Sequence, residues 1–133
     1  MNMERFSVLK GAWAVVRLGA TDPVPPWALH GEQFLSITRT TDELSVVCLE
    51  SVAPRDLRAE RGWAILKLHG PFPFNEVGVL ASFAMPLAAA KVTMLAFGTF
   101  DTDYILVKSI DLATACRALT EAGHEHVQVG DPQ

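Results

Sequence analysis

The sequence is poor in the residues that usually announce a chemistry. It holds only two cysteines, Cys48 and Cys116, among 133 residues. That is too few for a disulfide framework, and neither sits in a metal-like spacing. Both read as small core residues, and a reduced cytoplasm is the expected compartment. Of the four histidines, His124 and His126 would face one side of a strand. No third ligand at a suitable spacing joins them, and histidines of a terminal strand are expected to be solvated, so no metal is expected. Ser36, Ser45 and Ser82 lack a nucleophile-elbow context, and there is no glycine-rich phosphate loop. The expectation is a non-enzyme without a cofactor.

Clustered positive charge is also missing. The 11 Lys and Arg are scattered against 15 Asp and Glu, for a net charge of −4. Binding phosphates of nucleic acid needs a concentrated positive field, so no nucleic-acid partner is expected. Met1 to Leu9 is interrupted by Glu4 and Arg5 and does not read as a secretory signal. The run from Val77 to Phe100 carries one charge, Lys91. Gly78, Pro86, Gly98 and the switch from helical to strand composition make it two buried elements, so no membrane partner is expected.

What is present is a core. Half of the residues are hydrophobic and a fifth are charged, which suits one compact domain or two small units sharing an interface. Trp63 to His69 has strand composition. Pro71 and Pro73 stop pairing, and Asn75 offers a cap for a helix over Val77 to Ala90, whose apolar residues fall at helical spacing. Val92 to Phe97 and Tyr104 to Lys108 read as strands. Asp111 then caps a second helix, with Leu112, Ala115, Cys116, Leu119 and Ala122 on one face and Gly123 at its end. His124 to Val129 can close the unit. The order βαββαβ predicts an α+β ferredoxin-like sandwich, two helices on a four-stranded antiparallel sheet.

The chain also repeats itself. Trp13 to Gly19, WAVVRLG, has a near copy in Trp63 to Gly70, WAILKLHG. Thr40 to Val47 resembles Thr99 to Val107, with one extra residue in the later copy. Between these pairs the first copy is nine residues shorter, and its three prolines exclude a long helix, leaving at best one turn at Trp27 to His30. Its second helix is expected over Pro54 to Arg61. The predicted organisation is two tandem units, an abbreviated one over 1–61 and a full one over 62–133. Residues 1 to 12 form a loosely held lead-in anchored by Phe6, Val8 and Leu9.

Two segments of the second unit carry chemistry. In the loop Gly70 to Glu76, the helix start would leave N–H groups at Val77 and Gly78 unpaired beside the positive end of the helix dipole, a place for a carboxylate. An ordinary helix start explains the same residues. Glu76 would stabilise the first turn yet repel a bare anion, so a zwitterion, with an ammonium for the acid, fits better. Phe100-Asp101-Thr102-Asp103 joins two strands and reads equally as a polar turn. The first copy keeps the acidic character there in Thr41-Asp42-Glu43.

SITRTTDELSVVC, the segment Phe74 to Pro86 and TFDTDYILV together resemble the small bacterial tandem ACT-domain proteins. These are related to the ACT units of the CASTOR arginine sensors and of aspartate kinases. The resemblance covers residues 5 to 128. It implies tandem βαββαβ ACT-like units that bind small molecules, commonly amino acids, at interfaces between units. Phe74-Asn75-Glu76-Val77-Gly78-Val79-Leu80 stands where the arginine sensor has Phe-Asp-Glu-x-Gly-Ile-Val, and Thr99 to Asp103 matches its Thr-Phe-x-x-Asp turn. Asn75 departs from the usual Asp, and the chain encodes two units where the sensor has four. The resemblance implies Glu76, Gly78, Phe100 and Asp103 as pocket positions. With the helix-start and turn residues, the expected ligand set is Asn75, Glu76, Val77, Gly78, Phe100, Asp101 and Asp103. The expected function is a regulatory module that binds a small-molecule ligand, an amino acid, as a homodimer. The alternative is a protein-interaction or dimerisation module with a vestigial pocket.

Overall fold

The computed structural model describes residues 3–73 and 77–128. In chain order these form β1 (Arg5–Val8), β2 (Trp13–Leu18), a 3-10 turn at Pro26–Leu29, β3 (Ser36–Arg39) and β4 (Leu44–Leu49). A 3-10 turn at Glu50–Val52, β5 (Ala59–Leu68), α1 (Val79–Ala89), β6 (Met94–Gly98) and β7 (Asp103–Lys108) follow. A third 3-10 turn at Ser109–Asp111, α2 (Leu112–Glu121) and β8 (Glu125–His126) are the last of the described elements. They gather into two compact units: Gly11–Trp63, and Met1–Lys10 together with Ala64–Gln133.

In the first unit the strand order is β3-β4-β2-β5. β2 pairs antiparallel with β4 from Trp13↔Leu49 to Leu18↔Leu44. On its other side Trp13 lies opposite Trp63, and Val16 opposite Ala59, so the leading tryptophans of the two repeat copies are strand partners. Alternate residues Ala14, Val16, Val46 and Cys48 form the core with Ala28. As the prolines require, the segment after β2 makes one 3-10 turn at Pro26–Leu29 and no long helix. The second helix expected over Pro54 to Arg61 does not form. Its backbone groups are taken by the sheet: Arg58 O accepts from Arg17 N–H, and Ala59 and Glu60 pair with Val16 and Val15. Pro54 starts only a turn, closed by Leu57 N–H on Pro54 O.

In the second unit the order is β6-β7-β5-β1-β8. The helices and four expected strands are present, but β1 lies between β5 and β8, antiparallel to the first and parallel to the second. The sheet is therefore mixed and has five strands, and the N-terminal residues are a strand rather than a loose lead-in. Phe6 explains the difference: its fully buried ring sits in the core with Leu66, Leu68, Phe83, Leu87, Ile105 and Leu119. Such burial contributes roughly 1.5–3 kcal/mol per large side chain, enough to hold a four-residue strand. Among the described residues, no helix is long and apolar enough to cross a membrane.

α1 begins at Val79, two residues later than expected, with Gly78 in the left-handed region at φ +93°. The expected cap, Asn75, lies outside the described residues. Both helices end alike. Lys91 and Gly123 take positive φ, and the next residues, Val92 and His124, donate N–H back to Leu87 O and Leu119 O. His124 is not solvated, contrary to expectation, but only 3% exposed. Pro86 inside α1 has no N–H for Ser82 O; His124 Nε2 donates to that carbonyl instead, at 2.8 Å. His126 stacks on Phe6.

Candidate functional site

The site is built on the hairpin between β6 and β7. Thr99 N–H donates to Thr102 O at 2.8 Å, and Thr102 N–H donates back to Thr99 Oγ1 at 3.3 Å. The first unit has the same turn, with Thr40 N–H on Glu43 O and Glu43 N–H on Thr40 Oγ1. Strand register equates them: Arg39↔Leu44 before one turn corresponds to Gly98↔Asp103 before the other. The turns have equal length, so the extra residue expected in the later copy does not exist.

This hairpin is tied to the loop after β5. Thr102 Oγ1 donates to Leu68 O at 2.6 Å, and Phe72 N–H donates to Asp101 O at 2.9 Å. The approach is close enough to demand glycine at position 70. A Cβ there would stand 2.8 Å from Asp101 O and from Phe72 N.

A groove of about 280 Å³ results, lined by Phe72, Pro73, Gly78, Val79, Leu80, Ala81 and Thr99 to Asp103. One wall is the first turn of α1, whose N–H groups at Val79, Leu80 and Ala81 precede the first intrahelical bond, Ser82 N–H to Gly78 O. Asp101 and Asp103 line the same groove, and no described lining residue is basic. Burial, reinforced by the Asp101 carboxylate, raises the pKa of Tyr104 beside it. The groove thus gathers hydrogen-bond donors at a positive helix end and two acidic residues. That division of charge is suited to a ligand bearing both signs.

Of the expected ligand set, the structure brings Gly78, Phe100, Asp101 and Asp103 to this groove. Val77 is 88% exposed and is not among the lining residues. Asn75 and Glu76 lie outside the described residues. The donors move from Val77 and Gly78 to Val79, Leu80 and Ala81, because Gly78 caps the helix. Sequence reasoning missed Phe72, Pro73, Thr99 and Thr102. Thr99 had a signal, since Thr40 and Thr99 open the two copies of the turn.

The first unit handles the corresponding place differently. Arg39 stands where the second unit has Gly98, and its guanidinium donates to Ala20 O and Asp22 O of the loop after β2. That loop is further closed by Gly19 N–H on Asp22 Oδ2 at 2.7 Å. At Gly98 an added Cβ would come 3.3 Å from Asp103 Oδ1, so any side chain there would crowd the carboxylate. Among the described residues, no group of three or more His, Cys, Asp or Glu could hold a metal ion.

Residues 58–121 match the family model of the ACT domain, and residues 11–56 match a model described as an N-terminal domain. A crystal structure of a protein from Agobacterium tumefaciens is similar over 100% of this chain and 98% of that one, at 38% identity and a TM-score of 0.91. A Vibrio cholerae protein of unknown function, described as a possible transport protein, shares the fold at 18% identity and TM-score 0.73, over 90% and 89% of the two chains. The ligand-free regulatory subunit of aspartate kinase from Thermus thermophilus shares it at 11% identity and TM-score 0.59, over 84% and 93%. No curated protein matches significantly. With an ACT model over the second unit and a 38%-identical relative along its whole length, the chain belongs to the small ACT-domain proteins.

Proposed function

We propose that the chain is a regulatory module that binds a free amino acid in the groove between the start of α1 and the Thr99–Asp103 turn. A second copy of the chain closes the site. One observation carries this reading: helix-start N–H groups and two carboxylates line the same small groove, with no described basic side chain between them. The α-carboxylate takes the N–H groups of Val79 to Ala81. The ammonium takes Asp103, and Phe100, 80% exposed at the rim, covers the apolar part of the side chain. Similarity to regulatory portions of aspartate kinases, a fold-level likeness, is consistent with this role.

The test is a thermal-shift screen against the common amino acids. A ligand that binds only the folded state stabilises it by about 2.7 kcal/mol at a hundred times its dissociation constant. For a domain of this size that is a rise in Tm of roughly 5–15 °C. Asp103→Asn keeps the shape and removes the charge, and should weaken binding roughly tenfold or more. If no amino acid at millimolar concentration moves the wild-type Tm, the reading is wrong, and an interaction module with a vestigial groove replaces it. An equal shift in both proteins would move the ligand away from Asp103.

A further inference from the structure

The first unit holds a hollow that the amino-acid reading does not use. It has a volume of about 520 Å³ and is lined by Gly11, Glu50, Ser51, Ala53, Arg55 and Arg61, among others. Its origin is topological. β4 and β7 correspond residue for residue, and each is followed by a 3-10 turn, Glu50–Val52 and Ser109–Asp111. In the second unit α2 begins directly after that turn. In the first unit no helix follows, and the hollow opens at the residues that take its place.

We propose that this hollow is a binding site for a small-molecule oxyanion, a carboxylate or phosphate, held by Arg55 and Arg61. In a chain of net charge −4, two guanidinium groups on one concave surface mark a local reversal of sign. Arg61, whose guanidinium stays charged at any ordinary pH, is set in place by an N–H bond to Pro54 O at 2.7 Å. That charge is felt inside the unit: burial raises the Cys48 thiol pKa, and the Arg61 guanidinium opposes the rise. Arg55 is exposed and makes no hydrogen bond or ion pair among the described residues. Among the lining residues there is one acid, Glu50, which accepts from Gly62 N–H at 2.7 Å and is outnumbered by the two guanidinium groups, and Ser51 adds a hydroxyl. Guanidinium forks match planar and tetrahedral oxyanions with paired hydrogen bonds. This site stands or falls separately from the amino-acid groove.

Isothermal titration of the full chain with inorganic phosphate and with citrate tests it. Saturable binding of at least one anion is expected; phosphate alone points to a phosphate-bearing ligand, citrate alone to a polycarboxylate. Arg55→Gln should weaken binding roughly tenfold with the Tm unchanged, since the side chain is bonded to no described residue. Arg55→Lys should recover part of the loss by charge alone, and Asp103→Asn should bind as wild type. The proposal is overturned if neither anion saturates, if Arg55→Gln binds as tightly as wild type, or if Asp103→Asn loses the anion as well.

Discussion

His124 is held by two hydrogen bonds that together set its tautomer. Nδ1 accepts Glu4 N–H at 3.1 Å, so the ring proton sits on Nε2, which donates to Ser82 O. The ring stacks on Phe83 with centroids 4.0 Å apart. One side chain thus links the strand-bearing N-terminus to the helix carbonyl that Pro86 leaves without a partner. His124→Ala would strand a buried carbonyl and open a cavity in the core. We expect a loss of about 2–4 kcal/mol, read in urea denaturation as a lower midpoint at unchanged slope. A loss under roughly 0.5 kcal/mol, the range of ordinary surface substitutions, would show that water replaces the ring at no cost.

The hairpin between β6 and β7 shows at the level of elements why the place beside the turn is open in the second unit and filled in the first. Where the first unit sends Arg39 across to its own loop carbonyls, the second has Gly98 at the same register position. Gly98→Arg should therefore close the groove with the chain's own guanidinium. The amino-acid Tm shift should disappear while the unliganded Tm stays within a few degrees. A retained shift would show that the ligand does not pass Gly98. This contrast was half legible in the sequence. The Trp and Thr repeats exposed the tandem units, and the acids of the turn stood out because both copies keep them. The register that sets Arg39 against Gly98 was hidden, since an apparent extra residue misaligned the turns. The start of α1 was misplaced because Val77 to Ala90 is uniformly small and apolar, and only the backbone at Gly78 marks the stop. β1 was missed because four residues give too little pattern to read. Pro54 suits a turn as well as a helix start, and strand pairing decided between them.

For the whole molecule, the proposed closure of the groove by a second copy needs a contact surface, and the strand edges offer one. β8 is two residues long and bears Glu125 and His126, and β3 ends in Arg39. β6, MLAFG, carries no charge, and among the described residues it pairs only with β7. Leu95 and Ala96 are exposed on it. An unprotected apolar edge next to the hairpin that forms the groove is a ready surface for a second copy. Two-fold symmetry would pair β6 with itself antiparallel and continue the sheet from one chain to the next. The ladder identifies the donor that would serve. Thr99 N–H bonds Thr102 O, so by alternation Phe97 and Leu95 exchange bonds with Tyr104 and Leu106, and Ala96 N–H points away from β7. Ala96→Pro would remove that outward donor and leave the β6–β7 ladder whole, the one way an edge strand accepts proline. Light scattering at micromolar concentration should give wild type twice the 14.5 kDa of one chain, and Ala96→Pro a single chain with an unchanged circular dichroism spectrum. A wild-type monomer with and without ligand would remove the second copy from the proposed site. A dimeric Ala96→Pro would leave the second copy in place but move the contact to another edge or to the helices.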